Sequence, residues 1–508
     1  MAKIEEPTID VKLFVDKEKK KVLFAESDKE FVDVLFSFLT MPLGTIVRLL
    51  GKQSQMGCLD EVYKSVEDLS SDYFQTKACK EMLLKPLNAA YSHCCRLKIN
   101  IDDTKPRTAV YVCKDTSCCA YGDCAFSSVP ETLCKCGKVM EYVGDRPEDD
   151  EKTAVDGSGD GVFVQGRQKF ITTDEDIHAN DTSTPSPPVV AGPITRARAK
   201  QLNPQVRVTC FHKIAASIGG GVSVAKAQSL KGCSRAVNVV SSNRVIPHAS
   251  HRKIGHKPQR KFGVQDPADL EQSILQINSE KITSLLKRSL TSRQPLTGLH
   301  FGVPIPPDDA SLGMIPRNLC REQISEADDK IGNVKIKVLQ TKINSTVLYA
   351  EVGHDFVNLV FGLLSTPLGC IPKTFGQSSS KGCIDNLYRS ILNGTAEGYM
   401  GPDCQRLLVA PELAPFFGSS ASKILQVNES DTGNLMINSC FNCFKIESNL
   451  RVVSEAKIQM KELVEKEVTL TKFQVMELHI AALMSCDALS SVLLPPKKNK
   501  KNLKHLIY

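Results

Sequence analysis

A long stretch of this chain recurs, in register and without a gap, 325 positions further on, and that duplication constrains the fold more than anything else in the sequence. Ala25-Glu26 recurs as Ala350-Glu351, Phe31-Val32 as Phe356-Val357 and Pro42-Leu43-Gly44 as Pro367-Leu368-Gly369. Gly51, Ser54, Gly57, Cys58, Asp60 and Tyr63 return as Gly376, Ser379, Gly382, Cys383, Asp385 and Tyr388. The register still holds at Cys79 and Cys404, at Pro86 and Pro411, and at Lys98-Ile99 and Lys423-Ile424. A repeat this long is a duplicated domain and not a short-period solenoid. Residues kept by both copies are the expected scaffold, and residues carried by one copy are additions to it.

At 508 residues the chain exceeds what one hydrophobic core serves, and two to four domains are expected. No apolar run approaches the roughly 18 to 20 residues needed to cross a bilayer, so no membrane association is expected. The opening Met1-Ala-Lys-Ile-Glu-Glu lacks a hydrophobic signal core, which predicts an intracellular protein, cytoplasmic or nuclear, and not a secreted one. In that reducing setting the 19 cysteines read as buried thiols or metal ligands before disulfides. The net charge of +7 is local: between Ala179 and Phe262 stand fourteen Lys or Arg residues against the single acid Asp181.

Patterning predicts an α+β fold of two tandem units, each a β-hairpin followed by short helices. Val11–Val15 and Val22–Ala25 are the first hairpin. Ser27-Asp28-Lys29-Glu30 has the form of a capping box opening a helix through Phe31, Val34, Leu35, Phe38 and Leu39. Pro42 suits the first turn of a second helix, and a third is expected from Cys58 to about Leu69. Gly161–Gly166 and Lys169–Thr172 read as a strand pair, and Ser279 to Leu290 as a helix. The domain organisation that results is a first unit over 1–178, with a Cys-rich ribbon at 108–143. A basic insert or linker without periodicity follows over 179–262, then the helical end of the first unit and a linker over 263–330. The second unit occupies 331–494 and a basic tail 495–508.

Leu43-Gly-Thr-Ile-Val-Arg-Leu-Leu-Gly51, followed by Gly57-Cys-Leu-Asp-Glu-Val-Tyr-Lys-Ser65, resembles the signature of a plant-expanded family known as domain of unknown function 674. Leu285 to Thr297 is similar to that family's characteristic segment near a unit end, and Val464 to Leu494 resembles a weaker second copy of it. The resemblance implies a two-copy architecture and transfers no activity. The chain departs from the family pattern after Phe170, where the basic insert stands. Within that insert Gly192 to Leu202 is similar to segments of plant retrotransposon polyproteins.

The candidate site is the cysteine cluster of the first unit. Cys113-x4-Cys118 is followed, some fifteen residues later, by Cys134-Lys-Cys136-Gly137, which approximates a zinc ribbon. Four thiolates suit Zn²⁺, a soft-tolerant ion that accepts a tetrahedron of sulfurs. A glycine after the last ligand lets the backbone turn sharply towards the metal. Cys119 and Cys124 compete as ligands, and the alternative is a run of reduced thiols. The second unit has only Cys440-x2-Cys443, so a metal here is structural, a staple of copy one, and not shared chemistry.

Cys58 and Cys383 follow glycine at helix starts, where thiolates can be stabilised, but no histidine is common to both copies: His93 and His354 fall at unrelated positions. Both are therefore expected to be small buried packing residues. Gly51-Lys-Gln-Ser lacks the order of a phosphate-binding loop and reads as a packing turn. The insert's Arg196, Arg198, Lys200, Arg252, Lys253, Lys257, Arg260 and Lys261 could neutralise phosphates, yet almost no aromatic residue is interleaved for base stacking. A solvated linker is favoured over nucleic-acid binding. The sequence thus points to a two-unit scaffold or protein-interaction protein whose units pack on each other, with its partner unidentified. The alternatives are an enzyme with a cleft between the units and a nucleic-acid binder acting through the insert.

Overall fold

The computed structural model describes residues 6–74, 77–105, 109–115, 126–127, 130–131, 134, 136–145, 161–165, 169–174, 177–179, 270–305, 334–341, 347–376, 382–413, 444–453 and 463–494. The insert over 180–262, the tail, and Cys118, Cys119, Cys124, Cys440 and Cys443 lie outside these.

Copy one begins with the hairpin β1 (Ile9–Asp16) and β2 (Lys21–Ser27). Alternation in β1 buries Ile9, Val11 and Leu13 on one face, as a half-buried strand requires. The helices α1 (Lys29–Ser37), α2 (Leu43–Leu49), α3 (Leu59–Asp68), α4 (Lys77–Leu84) and α5 (Tyr91–Cys94) follow. A small separate sheet is built from β3 (Ala109–Val112), β4 (Phe126–Ser127) and β5 (Glu141–Asp145), with β3 in the middle. The chain then returns to the main sheet as β6 (Phe170–Thr172), β7 (Ile177–Ala179) and β8 (Leu270–Ile277), giving the antiparallel order β7-β6-β2-β1-β8. Two helices close the copy, α6 (Ser279–Thr291) and α7 (Pro295–His300). The side chain of Asn278 caps α6 by accepting from Lys281 N at 3.1 Å, and Ile282, Leu285, Leu286 and Leu290 are its buried stripe.

Copy two repeats this plan. Its sheet, order β12-β11-β10-β9-β13, comprises β9 (Val334–Thr341), β10 (Val347–Val352), β11 (Phe444–Glu447), β12 (Val452–Val453) and β13 (Leu463–Leu470). Its helices are α8 (His354–Gly362), α9 (Cys370–Phe375), α10 (Ile384–Gly394), α11 (Pro402–Val409), α12 (Lys472–Met484) and α13 (Ala488–Leu493). Ladder partners set the equivalences: Ala25 faces Thr172 as Ala350 faces Ile446, and Ile9 faces Ile277 as Val334 faces Leu470. Local bonds recur too. Tyr63 Oη donates to Leu84 O at 2.9 Å, and Tyr388 Oη to Val409 O at 3.3 Å.

The copies share one hydrophobic core and meet through reciprocal contacts, as a pseudo-twofold pair does. At its centre Pro42 and Pro367 form an antiparallel bridge: Leu43 N donates to Thr366 O and Leu368 N to Met41 O, both at 2.9 Å. Gly44 and Gly369 let the backbones approach, since a Cβ on either would lie 3.0 Å from the opposing carbonyl of Leu364 or Leu39. Each Gly-Cys turn then docks on the terminal helix of the other copy. Cys58 N donates to Ala482 O at 2.7 Å and Cys383 N to Ser289 O at 2.9 Å. Gly57 Cα presses on the Ala482 carbonyl, where a Cβ would lie 2.4 Å away, and Gly57 has φ +54°. Burial of α12 on nearly every side follows from this, because it packs on its own sheet and under the other copy's turn.

Three local expectations are corrected. α1 is capped by Asp28 in extended conformation with no side-chain bond, and Ser27 Oγ is buried without a partner, because Ser27 belongs to β2 and faces inward. Pro42 precedes α2 as an extended residue, held there by its bridge to Pro367. Gly161–Gln165 does not pair with β6. Its Val164 bridges Met400 and Gln165 N donates to Tyr399 O at 2.9 Å, so it straps copy one to copy two.

Candidate metal centre

Cys113 leaves the end of β3, while Cys134 and Cys136 sit on the turn before β5, and the pairing of β3 with β5 brings them together. The three Sγ atoms lie within 4.8 Å of one another, with Cys113 and Cys136 at 3.5 Å. Sulfurs sharing a tetrahedral zinc at about 2.3 Å are separated by about 3.8 Å, a spacing that this cluster could reach around one ion. The turn is a tight knuckle: Gly137 N donates to Cys134 O and Cys134 N to Lys138 O, both at 2.8 Å, with Gly137 at φ +80°. Cys113 and Cys134 are buried beside Met140 in a cluster of their own, and Cys136 is exposed. A backbone hydrogen bond at Asp115 pulls the Cys113 thiol down, but desolvation and its two cysteine neighbours leave it above its ordinary value. Lys138 Nζ donates to Asp115 Oδ2 at 2.8 Å across the turn. This cluster could hold a metal ion. Of the four expected ligands the structure brings together Cys113, Cys134 and Cys136; Cys118 lies outside the described residues.

A model of the family described as "protein of unknown function (DUF674)" matches residues 5–218 and 239–456, two tandem regions that cover most of the chain. The chain belongs to this family. Neither a curated protein nor a solved structure matches it.

In this DUF674 chain Gly44 and Gly369, Cys58 and Cys383, and Tyr63 and Tyr388, shared by both copies, serve in packing or in backbone bonds. Burial pushes the Cys58 and Cys383 thiols up to about 12, far from thiolate formation at neutral pH. Cys58 Sγ donates to Ser485 O at 2.9 Å, across the seam. Asp60 accepts from Ser54 N and Ser54 Oγ, so its carboxylate closes the loop before α3. Lys52, the residue that faintly suggests phosphate binding, has φ +61° and pairs with Glu67 at 2.7 Å. His93 stacks on Phe163 and His354 lies 3.2 Å from Asp355.

Sequence reasoning did not single out Asp33 and Asp174. Asp33, buried in α1, accepts from the N–H groups of Val162, Phe163 and Val164 at 2.6 to 3.1 Å and thereby holds the strap. Asp174 accepts from Leu296 N, Thr297 N and Thr297 Oγ1, which caps α7. The signal for both was available: a charged residue inside an apolar helix face, and an acid just after a strand. Among the described residues no helix is long and apolar enough to cross a membrane.

Proposed function

We propose that this protein is a non-enzymatic intracellular scaffold, in which two copies close on each other and present a zinc-held ribbon that engages a protein partner. The observation that carries this reading is where the shared residues go. Gly44 and Gly369, Cys58 and Cys383, and Tyr63 and Tyr388 are all used in packing or in backbone bonds, and the shared thiols are too desolvated to react. What stands outside the common core is the ribbon of copy one, which exposes Val139, Tyr142 and Val143. Zinc is the ion that three close thiols favour, with Cys118 as the fourth ligand indicated by spacing.

The test uses the intact chain under reducing conditions. About one zinc per chain is expected by metal analysis. Cys134→Ser with Cys136→Ser should remove it while the melting midpoint of the two-copy core stays in place. In cells, proximity labelling by the intact chain should mark protein neighbours that this double variant loses. A metal-free wild type, or an unchanged set of neighbours, overturns the reading.

A further inference from the structure

A cavity of about 40 Å³ lies on the seam, walled by both copies. Copy one contributes Leu35, Thr172, Asp174, Leu285, Ser289 and Leu296; copy two contributes Cys383, Asn386, Leu387 and Ser390. Such a volume has room for about three water-sized groups. Its polar wall is rich in acceptors. Ser289 Oγ donates to Leu285 O at 2.9 Å and its side chain also engages the Cys383 thiol, while Ser390 Oγ donates to Asn386 O at 3.1 Å, so neither hydroxyl proton is turned to the cavity. Asp174 is an acceptor only, and it makes no ion pair within 4.0 Å among the described residues, although the field of Lys21 reaches it. Thr172 is 3% exposed and its hydroxyl has no hydrogen-bond partner, a costly state for a buried polar group.

The pseudo-twofold supplies a control. At the equivalent place across the axis Thr172 is replaced by Ile446 and Ser289 by Ala482 on equivalent elements, and Asp174 by Ser448 just past the equivalent strands. Ser448 repeats the cap, bonding Ser490 Oγ at 2.6 Å, and Ile446 and Ala482 are fully buried. The scaffold therefore does not need Thr172, Asp174 or Ser289, which stand in copy one alone. We propose that this cavity binds a small primary ammonium group, its N–H donors directed to Asp174 and Thr172 and its short alkyl part lying against Leu35, Leu285 and Leu296. A cation there would relieve the desolvation that raises the Asp174 carboxyl. Because both copies wall the site, an occupant favours the closed seam.

The experiment titrates the full chain with ethylammonium chloride, which has three heavy atoms, against sodium chloride at equal ionic strength, reading the melting midpoint. A saturable rise specific to ethylammonium is expected. Thr172→Val, whose shape the Ile446 position tolerates, should weaken the apparent Kd by about tenfold or more, the effect of losing one hydrogen bond to a charged group. Asp174→Asn should abolish the response, and Thr172→Val keeps the test valid if that cap variant does not fold. An equal response to sodium chloride, an unsaturable one, a saturable response of the same size to ethanol, or an unchanged Kd in Thr172→Val overturns the proposal, leaving a cavity filled by water.

Discussion

Asp33 and His479 are buried ionisable groups whose pH dependences oppose each other. Desolvation raises the Asp33 carboxyl to about 6 against the lowering effect of three backbone N–H donors. Its folded pKa lies above the unfolded value, so between about pH 4 and 6 the fold binds the extra proton and stability falls as pH rises. His479 in α12 is fully buried, its ring nitrogens make no hydrogen bond of good geometry, and desolvation lowers it to about 4. Here the unfolded chain binds the proton first, and stability falls as pH drops from about 6.5 towards 4. Each group contributes on the order of a few kcal/mol across its window, and the two act with opposite sign in the wild type. Asp33→Asn, which places the residue of Asn358 at its equivalent position, should expose a steeper acid loss of melting temperature. His479→Leu, which copies Leu286, should remove that loss and raise the midpoint at pH 5. A wild-type and two variant curves of the same slope between pH 4 and 6 would refute both assignments.

Among the elements, the Gly-Cys turns are where one substitution does most. Gly57→Ala meets both a positive φ and the Ala482 carbonyl at 2.4 Å. Gly382→Ala meets the Ser289 carbonyl at 2.0 Å. Each should cost about 2 to 4 kcal/mol by denaturant unfolding. Gly51→Ala has φ +62° with no atom within 4 Å, so it pays only the backbone term of about 1 to 2 kcal/mol; equal costs at 51 and 57 would contradict the seam contact. The elements themselves were legible. Hairpins, helix periodicity and the α+β class follow from spacing of apolar residues, and Leu285–Thr297 and the part of Val464–Leu494 from Lys472 on occupy equivalent helices, while Val464–Leu470 is strand. The strap at 161–165 was misread as a strand pair because its partner, Met400, is more than two hundred residues away and leaves no local pattern. Of the ribbon, Cys134-x-Cys136-Gly137 declares its own knuckle, whereas the approach of Cys113 depends on strand pairing.

For the whole molecule, the seam makes the covalent link between the copies dispensable once folded. Reciprocal backbone bonds at Pro42 and Pro367 and at both Gly-Cys turns, with a continuous core, join the copies through the described elements. A protease site introduced between Ile305 and Val334 should be cut with the halves still co-eluting and melting together; separation on cleavage would show that the linker holds them. The sequence by itself determined that there are two copies, what each is built from, and which residues both retain, because local propensity and periodicity are written in the chain. Only the tertiary structure decided that each copy's Gly-Cys turn is completed by the other copy's helix. That contact is made by backbone carbonyls and missing side chains, and neither leaves a periodic signal in the sequence.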